Sequence, residues 1–301
     1  MLAAPPERAH ALEVAMSNPS PSDQRETERP LQSFTGHLVL VGAGQMGGAL
    51  LAGWFRLGLD PSRVTVIDPR PSDTIRTLLA AHPTAINPQA AAPADVMVLA
   101  IKPQMADEVM PQVKHLVIDT TVVVSVMAGK TIARMEEVFG AGTAIVRTIP
   151  NTPAAVGRGI TGAAANGHVT AAQRALVDTL LSAVGSAEWL EREDWIDAVT
   201  AVSGSGPAYV FLIAETLARA GAAAGLPADL AARLARATVE GAGELLYRSP
   251  GIPPATLRQN VTSPNGTTHA ALQVLMASDG VAPLFEAAVA AAAKRSRELA
   301  G

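Results

Sequence analysis

His37-Leu38-Val39-Leu40-Val41-Gly42-Ala43-Gly44-Gln45-Met46-Gly47 is the stretch that decides the fold. Four apolar residues in succession read as a strand buried on both faces, and the glycines that follow at once mark a tight turn into a helix. Residues 48–58 keep helical spacing, with Leu50, Leu51, Trp54 and Phe55 recurring on one side. Val64-Thr65-Val66-Ile67 then reads as a second strand, ended by Asp68-Pro69. The result is a βαβ unit of about 30 residues. In Gly42-x-Gly44-x-x-Gly47 the first glycine permits the turn, the second lets a pyrophosphate reach the backbone, and the third lets helix and strand pack closely. Unpaired N–H groups and the macrodipole at the helix start favour such an anion. The motif is weak alone; after a strand, before a helix and with an acid ending the second strand, it reads as a dinucleotide site.

Working outward, residues 96–101, 122–126 and 144–148 are further strand candidates, separated by segments long enough for crossover helices. Strands alternating with helices predict an α/β fold, a Rossmann-type doubly wound parallel sheet over residues 37–190. Past residue 190 the strand signal stops. Residues 191–301 are Ala- and Leu-rich and read as an all-α domain, with helices over 207–225, 227–247 and from His269 to the end. Several of its faces carry little charge, more apolar surface than a small lone bundle buries, which predicts packing against a second copy of the chain.

Composition narrows the field. The net charge of −4 comes from 23 basic and 27 acidic residues spread along the chain, with no basic run of the kind that tracks nucleic acid. With no cysteine, disulfides, thiolate metal sites and cysteine nucleophiles are excluded, and six scattered histidines lack zinc-ligand spacing. No uncharged apolar stretch reaches the roughly 18 residues of a bilayer span. The expectation is a protein with no membrane segment, placed in the cytoplasm because it shows no targeting signal. Residues 1–36 mix Pro, Ser, Glu and Arg and read as a disordered extension, or as translation from a start codon placed too far upstream. Glu7, Arg8 and Glu13 interrupt any secretory core there.

Asp68 lies where a carboxylate accepts hydrogen bonds from an adenosine ribose, which favours NAD; Arg70, two residues on, suits a 2′-phosphate and favours NADP, or is an ordinary surface charge. The two pull in opposite directions, and both coenzymes stay open.

Later segments are more specific. Ala100-Ile101-Lys102-Pro103-Gln104, Ser125-Val126-Met127-Ala128-Gly129 and Arg147-Thr148-Ile149-Pro150-Asn151-Thr152-Pro153 are followed by Asp197-Ala198-Val199-Thr200-Ala201-Val202-Ser203-Gly204-Ser205-Gly206-Pro207-Ala208-Tyr209. With Val261-Thr262-Ser263-Pro264-Asn265-Gly266-Thr267-Thr268, this set closely resembles the signature of the pyrroline-5-carboxylate reductase family. The resemblance runs from about His37 to Leu299. It implies NAD(P)H-dependent reduction of 1-pyrroline-5-carboxylate to L-proline, a helical dimerisation domain, and an active site between the domains completed partly by the neighbouring subunit. It also implies coenzyme contacts at Val41, Gly42, Ala43, Gly44, Gln45 and Met46, at Asp68 and Asn87, at Ala100, Ile101, Lys102 and Pro103, and at Val126, Met127 and Ala128. Lys102 invites a general-acid role, but a solvated lysine with a pKa near about 10.4 is poorly poised for one at neutral pH, so a place in the coenzyme loop is preferred.

For the substrate, Pro264, Asn265 and Gly266 favour a turn, and the helix that begins at Thr267 aims successive N–H groups at one point, a nest for a carboxylate. The resemblance points the same way: carboxylate on the amides of Gly266, Thr267 and Thr268, the Ser263 hydroxyl nearby, and the Thr268 hydroxyl toward the imine nitrogen. The competing reading is plain N-capping by Ser263 or Thr267. Family members usually carry two glycines after Ser-Pro; Asn265 replaces the first, and Asn is among the few residues tolerated at positive φ. Gly204 and Gly206 suit either a ligand or close helix packing. The rivals are a hydroxyacid, prephenate or ketopantoate dehydrogenase of similar plan, which would need a catalytic Lys, His or Glu in the helical domain, a reductase of another cyclic imine, and a non-catalytic nucleotide sensor.

Overall fold

The computed structural model describes residues 29–300. Eight strands form one sheet in the order β3-β2-β1-β4-β5-β6-β7-β8. These are β1 (Leu38–Val41), β2 (Val64–Ile67), β3 (Ala85–Ile86), β4 (Ala94–Leu99), β5 (Val117–Ser125), β6 (Ala144–Pro150), β7 (Gly159–Ala165) and β8 (Gly185–Trp189). The first two match the bounds expected from the sequence, and among the described residues no strand follows Trp189. Pairing is parallel except between β6 and β7, so the expected parallel sheet carries one antiparallel step. Order reverses between β1 and β4, the switch point at which open α/β sheets bind ligands.

Successive residues of each strand face opposite sides. Leu38, Leu40, Val64, Val66, Val96 and Val98 pack on one side with helices α1 (Gln45–Arg56) and α2 (Asp73–Ala81). Val39, Val41, Met97, Leu99, Val123 and Ile145 pack on the other with α3 (Ala106–Val113) and α4 (Ile132–Phe139). Both faces are covered, which is why these strands read as unbroken apolar runs rather than alternating ones. Helix α5 (Ala171–Ser182) joins the first cluster, where the buried Trp54 indole donates to the Leu180 carbonyl at 2.9 Å.

The three strands missed in the sequence are short or made of small residues for a packing reason. A Cβ at Gly162 of β7 would lie 2.7 Å from Val199 Cγ1, and one at Gly185 of β8 only 1.9 Å from the Gly159 carbonyl oxygen. Side chains that favour strands do not fit there.

The expected extension lies outside the described residues up to residue 28. Its last part is packed rather than free: Leu31 is buried in the first core cluster and its N–H donates to Leu57 O at 3.1 Å. Closeness of contacts divides the chain into two compact units, one of Glu28–Pro207 with Val289–Gly301 and one centred on Ala208–Ala288. The helices after β8 are α6 (Ile196–Val199), α7 (Gly206–Ala223), α8 (Ala228–Arg248), α9 (Pro254–Asn260), α10 (Thr267–Leu275) and α11 (Val281–Ala300). The helix expected from His269 to the end is thus two helices, broken where the chain turns at Met276 to Gly280. Within Ala208–Ala288, Phe211, Leu217, Leu234, Leu246, Val274 and Leu284 are all exposed. The helical stretch Glu193–Ala223 is also long and apolar enough to cross a membrane by length and composition alone, a test that helices with apolar outer faces pass without any membrane.

Candidate active site

The residues expected to hold a coenzyme meet outside the carboxyl ends of β1, β2, β4 and β5, joined by backbone bonds one step beyond the strands. Gly42 N–H donates to Ile67 O at 2.8 Å, Ala100 N–H to Val41 O at 2.8 Å, and Val126 N–H to Leu99 O at 3.0 Å. The three glycines differ in role. Gly42 has φ +89°, and a Cβ there would press on the Ala100 carbonyl at 2.7 Å. Gly47 has no room at all, since its Cβ would sit 2.2 Å from the Gly42 oxygen. Gly44 is the opposite case: a Cβ would meet nothing within 4 Å. Packing does not demand a glycine there; a close-lying ligand would.

Gly44 is also the N-cap of α1, with no side chain capping the helix and no acid in its first turn. The N–H groups of Gln45, Met46 and Gly47 therefore have no intrahelical acceptor and face the mouth of the loop with the positive end of the dipole behind them. By contrast, Ser72, Thr131 and Thr170 cap α2, α4 and α5 with their side chains. Open donors, open space and uncompensated dipole fit a pyrophosphate.

Asp68 is more than a ribose acceptor. Its Oδ2 accepts Ala43 N–H at 2.8 Å and its Oδ1 accepts Arg70 N–H at 2.8 Å, so the carboxylate ties the glycine loop to the end of β2. Asn87, at φ 43°, completes the corner: its side-chain oxygen accepts Asp68 N–H at 2.9 Å and its amide donates to Asp68 O at 2.7 Å. Arg70 is exposed. Lys102 is exposed too and precedes the turn begun by Pro103, with Met105 N–H on its carbonyl at 2.9 Å, while Ile101 is half-buried beside it. Met127 is buried in the core, so only its backbone is available to a ligand, whereas Ala128 next to it is exposed.

Two features escaped the sequence. Residues Thr200–Gly204 form a π-helical turn, closed by Ser205 N–H on Thr200 O at 2.8 Å, within the run Asp197 to Tyr209 that carries the family resemblance. Such turns recur at functional sites. Asn151 fastens it, donating to Ser203 O at 3.2 Å and accepting Ile160 N–H at 3.0 Å. No periodicity in the sequence marks a π-turn.

In the helical unit, Asn265 has φ 58°, the left-handed conformation its side chain tolerates. That turn makes Gly266 the N-cap of α10 without any side-chain cap, which removes the expected alternative of capping by Ser263 or Thr267. Of the three amides expected to meet the carboxylate, that of Gly266 closes the turn on Ser263 O at 3.0 Å. The N–H groups of Thr267 and Thr268 remain, in the first turn of a helix with no acid near its start. Ser263, Thr267 and Thr268 are exposed.

Comparison with known proteins agrees with both halves. Residues 193–299 match the family model for pyrroline-5-carboxylate reductase dimerisation, and residues 37–129 match that for NADP oxidoreductase, coenzyme F420-dependent. The pyrroline-5-carboxylate reductase of Pseudomonas aeruginosa is 40% identical over 268 residues, covering 88% of this chain and 97% of that one. The solved pyrroline-5-carboxylate reductase of Coxiella burnetii has a TM-score of 0.82 at 35% identity, covering 89% and 99% of the two chains. That of Plasmodium falciparum, solved with NADP bound, has a TM-score of 0.71 at 27% identity over 89% and 99%. The dimerisation match accounts for the exposed apolar side chains of α7, α8, α10 and α11, and the chain assembles as a homo-oligomer through this region. With an NAD(P)-binding sheet, a dimerisation domain and relatives that span nearly its whole length, the chain belongs to the pyrroline-5-carboxylate reductase family of NAD(P)H-dependent oxidoreductases.

Proposed function

We propose that the chain reduces 1-pyrroline-5-carboxylate to L-proline with the coenzyme on the glycine loop and the substrate carboxylate on the start of α10. The observation that carries the substrate half is the turn at Asn265. It leaves the Thr267 and Thr268 amides at a helix N-terminus that no side chain caps. Two charge-assisted hydrogen bonds from such donors, with the Ser263 hydroxyl beside them, suit a carboxylate. On the other unit, Gln45, Met46 and Gly47 would hold the pyrophosphate, Asp68 and Asn87 would line the adenosine side, and Ala100 to Pro103 with Val126 to Ala128 would line the nicotinamide end. When bound, the reduced nicotinamide supplies the hydride.

The substrate ring nitrogen enters already protonated as an iminium, so the protein's task is orientation rather than proton supply. Thr268 has both a free N–H and a hydroxyl, so one residue fixes the carboxylate and the ring nitrogen relative to each other. The hydroxyl would accept the iminium N–H and remain bonded to the product amine. Lys102 has no step to perform in this scheme.

The test is steady-state turnover of pyrroline-5-carboxylate with NADH and with NADPH, in the native chain and in Thr268→Ala and Thr268→Ser. Loss of one hydrogen bond to a charged group predicts a fall in kcat/KM of about tenfold to a hundredfold for Thr268→Ala, with coenzyme affinity unchanged and Thr268→Ser largely restored. Full activity in Thr268→Ala would remove Thr268 from the reaction.

A further inference from the structure

Arg147 and Glu193 take no part in the scheme above, yet they form a charged pair with one partner deep in the protein. Arg147 lies on β6, two residues after Ile145 and on the same face, and its side chain is 5% exposed. Its Nη1 donates to Glu193 Oε1 at 2.8 Å, and that same oxygen accepts Ile132 N–H at 2.9 Å. The Arg147 Nε–H meets no acceptor among the described residues. As a source of stability this is a poor arrangement. A buried ion pair is often no better than an apolar pair of equal volume, and an unmet buried donor costs more again.

Position explains it better. Ile132 is the first residue of α4 and follows directly on the loop that contains Val126, Met127 and Ala128. At its near end that loop is fixed by Val126 N–H on Leu99 O and by Met127 N–H on the Ser125 hydroxyl at 3.2 Å. At its far end Lys130 reaches Asp107 at 3.1 Å, but Asp107 is exposed and surface pairs hold little. The firm attachment is Glu193, which takes the Ile132 donor from outside the helix while a buried guanidinium fixes the direction of its carboxylate.

We infer that Arg147 and Glu193 are positioning residues for the nicotinamide end of the coenzyme site. The guanidinium orients the carboxylate, the carboxylate pins the start of α4, and the pinned helix sets the backbone of Val126, Met127 and Ala128. The inference rests on the reading that this loop lines the coenzyme.

The test compares three variants of the full chain: Glu193→Ala, the apolar double variant Arg147→Met with Glu193→Leu, and Ala128→Trp. The readouts are amide hydrogen exchange at residues 126–132 without coenzyme, melting temperature, and calorimetric Kd for NADH and NADPH. Glu193→Ala is expected to speed exchange at Ile132 and the loop, and to weaken coenzyme binding about tenfold, while lowering the melting temperature. The double variant removes the stranded charge and so regains the melting temperature, but exchange stays fast and Kd stays raised, because nothing holds Ile132 N–H. If the double variant recovers Kd together with its melting temperature, or if Glu193→Ala leaves exchange and Kd unchanged, the positioning role is refuted. Ala128→Trp separates the two levels. If it leaves Kd unchanged the loop does not line the coenzyme and both readings fall; if it abolishes binding while Glu193→Ala binds normally, only the positioning role falls.

Discussion

Gly44 and Gly47 are three residues apart in one motif, and the structure predicts opposite consequences for the same substitution. At Gly47 an added methyl would sit 2.2 Å from the Gly42 oxygen and 3.1 Å from Ala100 Cβ. Both neighbours belong to the loop or its supporting strand end, so α1 must move by about 1 Å to regain ordinary contact, and overpacking of this kind costs about 1–3 kcal/mol. For a domain of this size that is a fall in Tm of roughly 2–12 °C. At Gly44 the methyl meets nothing within 4 Å, and φ −70° with ψ −155° is open to alanine. Lost N-cap preference and a stiffer unfolded chain are each below about 1 kcal/mol and opposite in sign, so Tm stays within about 2 °C. Coenzyme affinity should behave the other way round. The Gly44 methyl would stand where the proposed site puts the pyrophosphate, against the amides of Gln45 and Met46, and losing one such charge-assisted bond weakens Kd about tenfold to a hundredfold. Melting curves and calorimetric titration of NADPH into Gly44→Ala and Gly47→Ala check the two effects separately. Native-like coenzyme affinity in Gly44→Ala would refute the assignment of this loop to the pyrophosphate.

Asn265→Gly removes a side chain beside the proposed carboxylate site while keeping the turn. The left-handed strain relieved and the unfolded-chain freedom gained are both near 1 kcal/mol or less, so Tm should barely change. KM for pyrroline-5-carboxylate should fall with kcat unaltered; a KM that stays the same would mean Asn265 does not limit access. Asp107 gives a pH signature. Hydrogen bonds from Lys130 and then Arg134 hold its carboxyl below the ordinary value of 3.8. A depressed folded pKa means its contribution is complete above 3.8 and fades as pH falls through the lower folded value. The Tm deficit of Asp107→Asn should therefore be small and constant from neutral pH down to about pH 4, and close only at lower pH. A deficit that shrinks between neutral pH and pH 5 would contradict the pairing.

What could be read in the sequence was whatever is local. Residues 38–41 and 64–67 announced themselves because a strand covered on both faces must be apolar throughout. The loop proposed to hold the coenzyme is six contiguous residues, and the turn before α10 is spelled by Pro264, Asn265 and Gly266 with the left-handed residue identifiable by type. Strands β7 and β8 were hidden because close approach replaces strand-forming side chains with Gly and Ala. Arg147 and Glu193, 46 residues apart, carry no mark of each other in sequence, and neither does the Asn151 clasp on the π-turn, 52 residues away. These are contacts of the third dimension, made after the sheet has brought the ends of β5, β6 and β7 together.

Asp68 shows how structure changes the weight of a sequence argument. An acid at the end of the second strand is ordinarily read as a partner for a free 2′-hydroxyl, hence for NAD. Here each of its oxygens already accepts a backbone N–H, from Ala43 and from Arg70. Those bonds give the acid a structural role: one keeps the Gly42 to Gly44 loop against β2, the other shapes the turn that carries Arg70. The loop proposed to receive a pyrophosphate is thereby held by a carboxylate whose two oxygens each accept a backbone N–H. Asp68 is therefore compatible with NADP as well as with NAD, and on the proposed reading discrimination between the two would fall to the exposed Arg70, whose guanidinium would pair more strongly with a 2′-phosphate than with a 2′-hydroxyl.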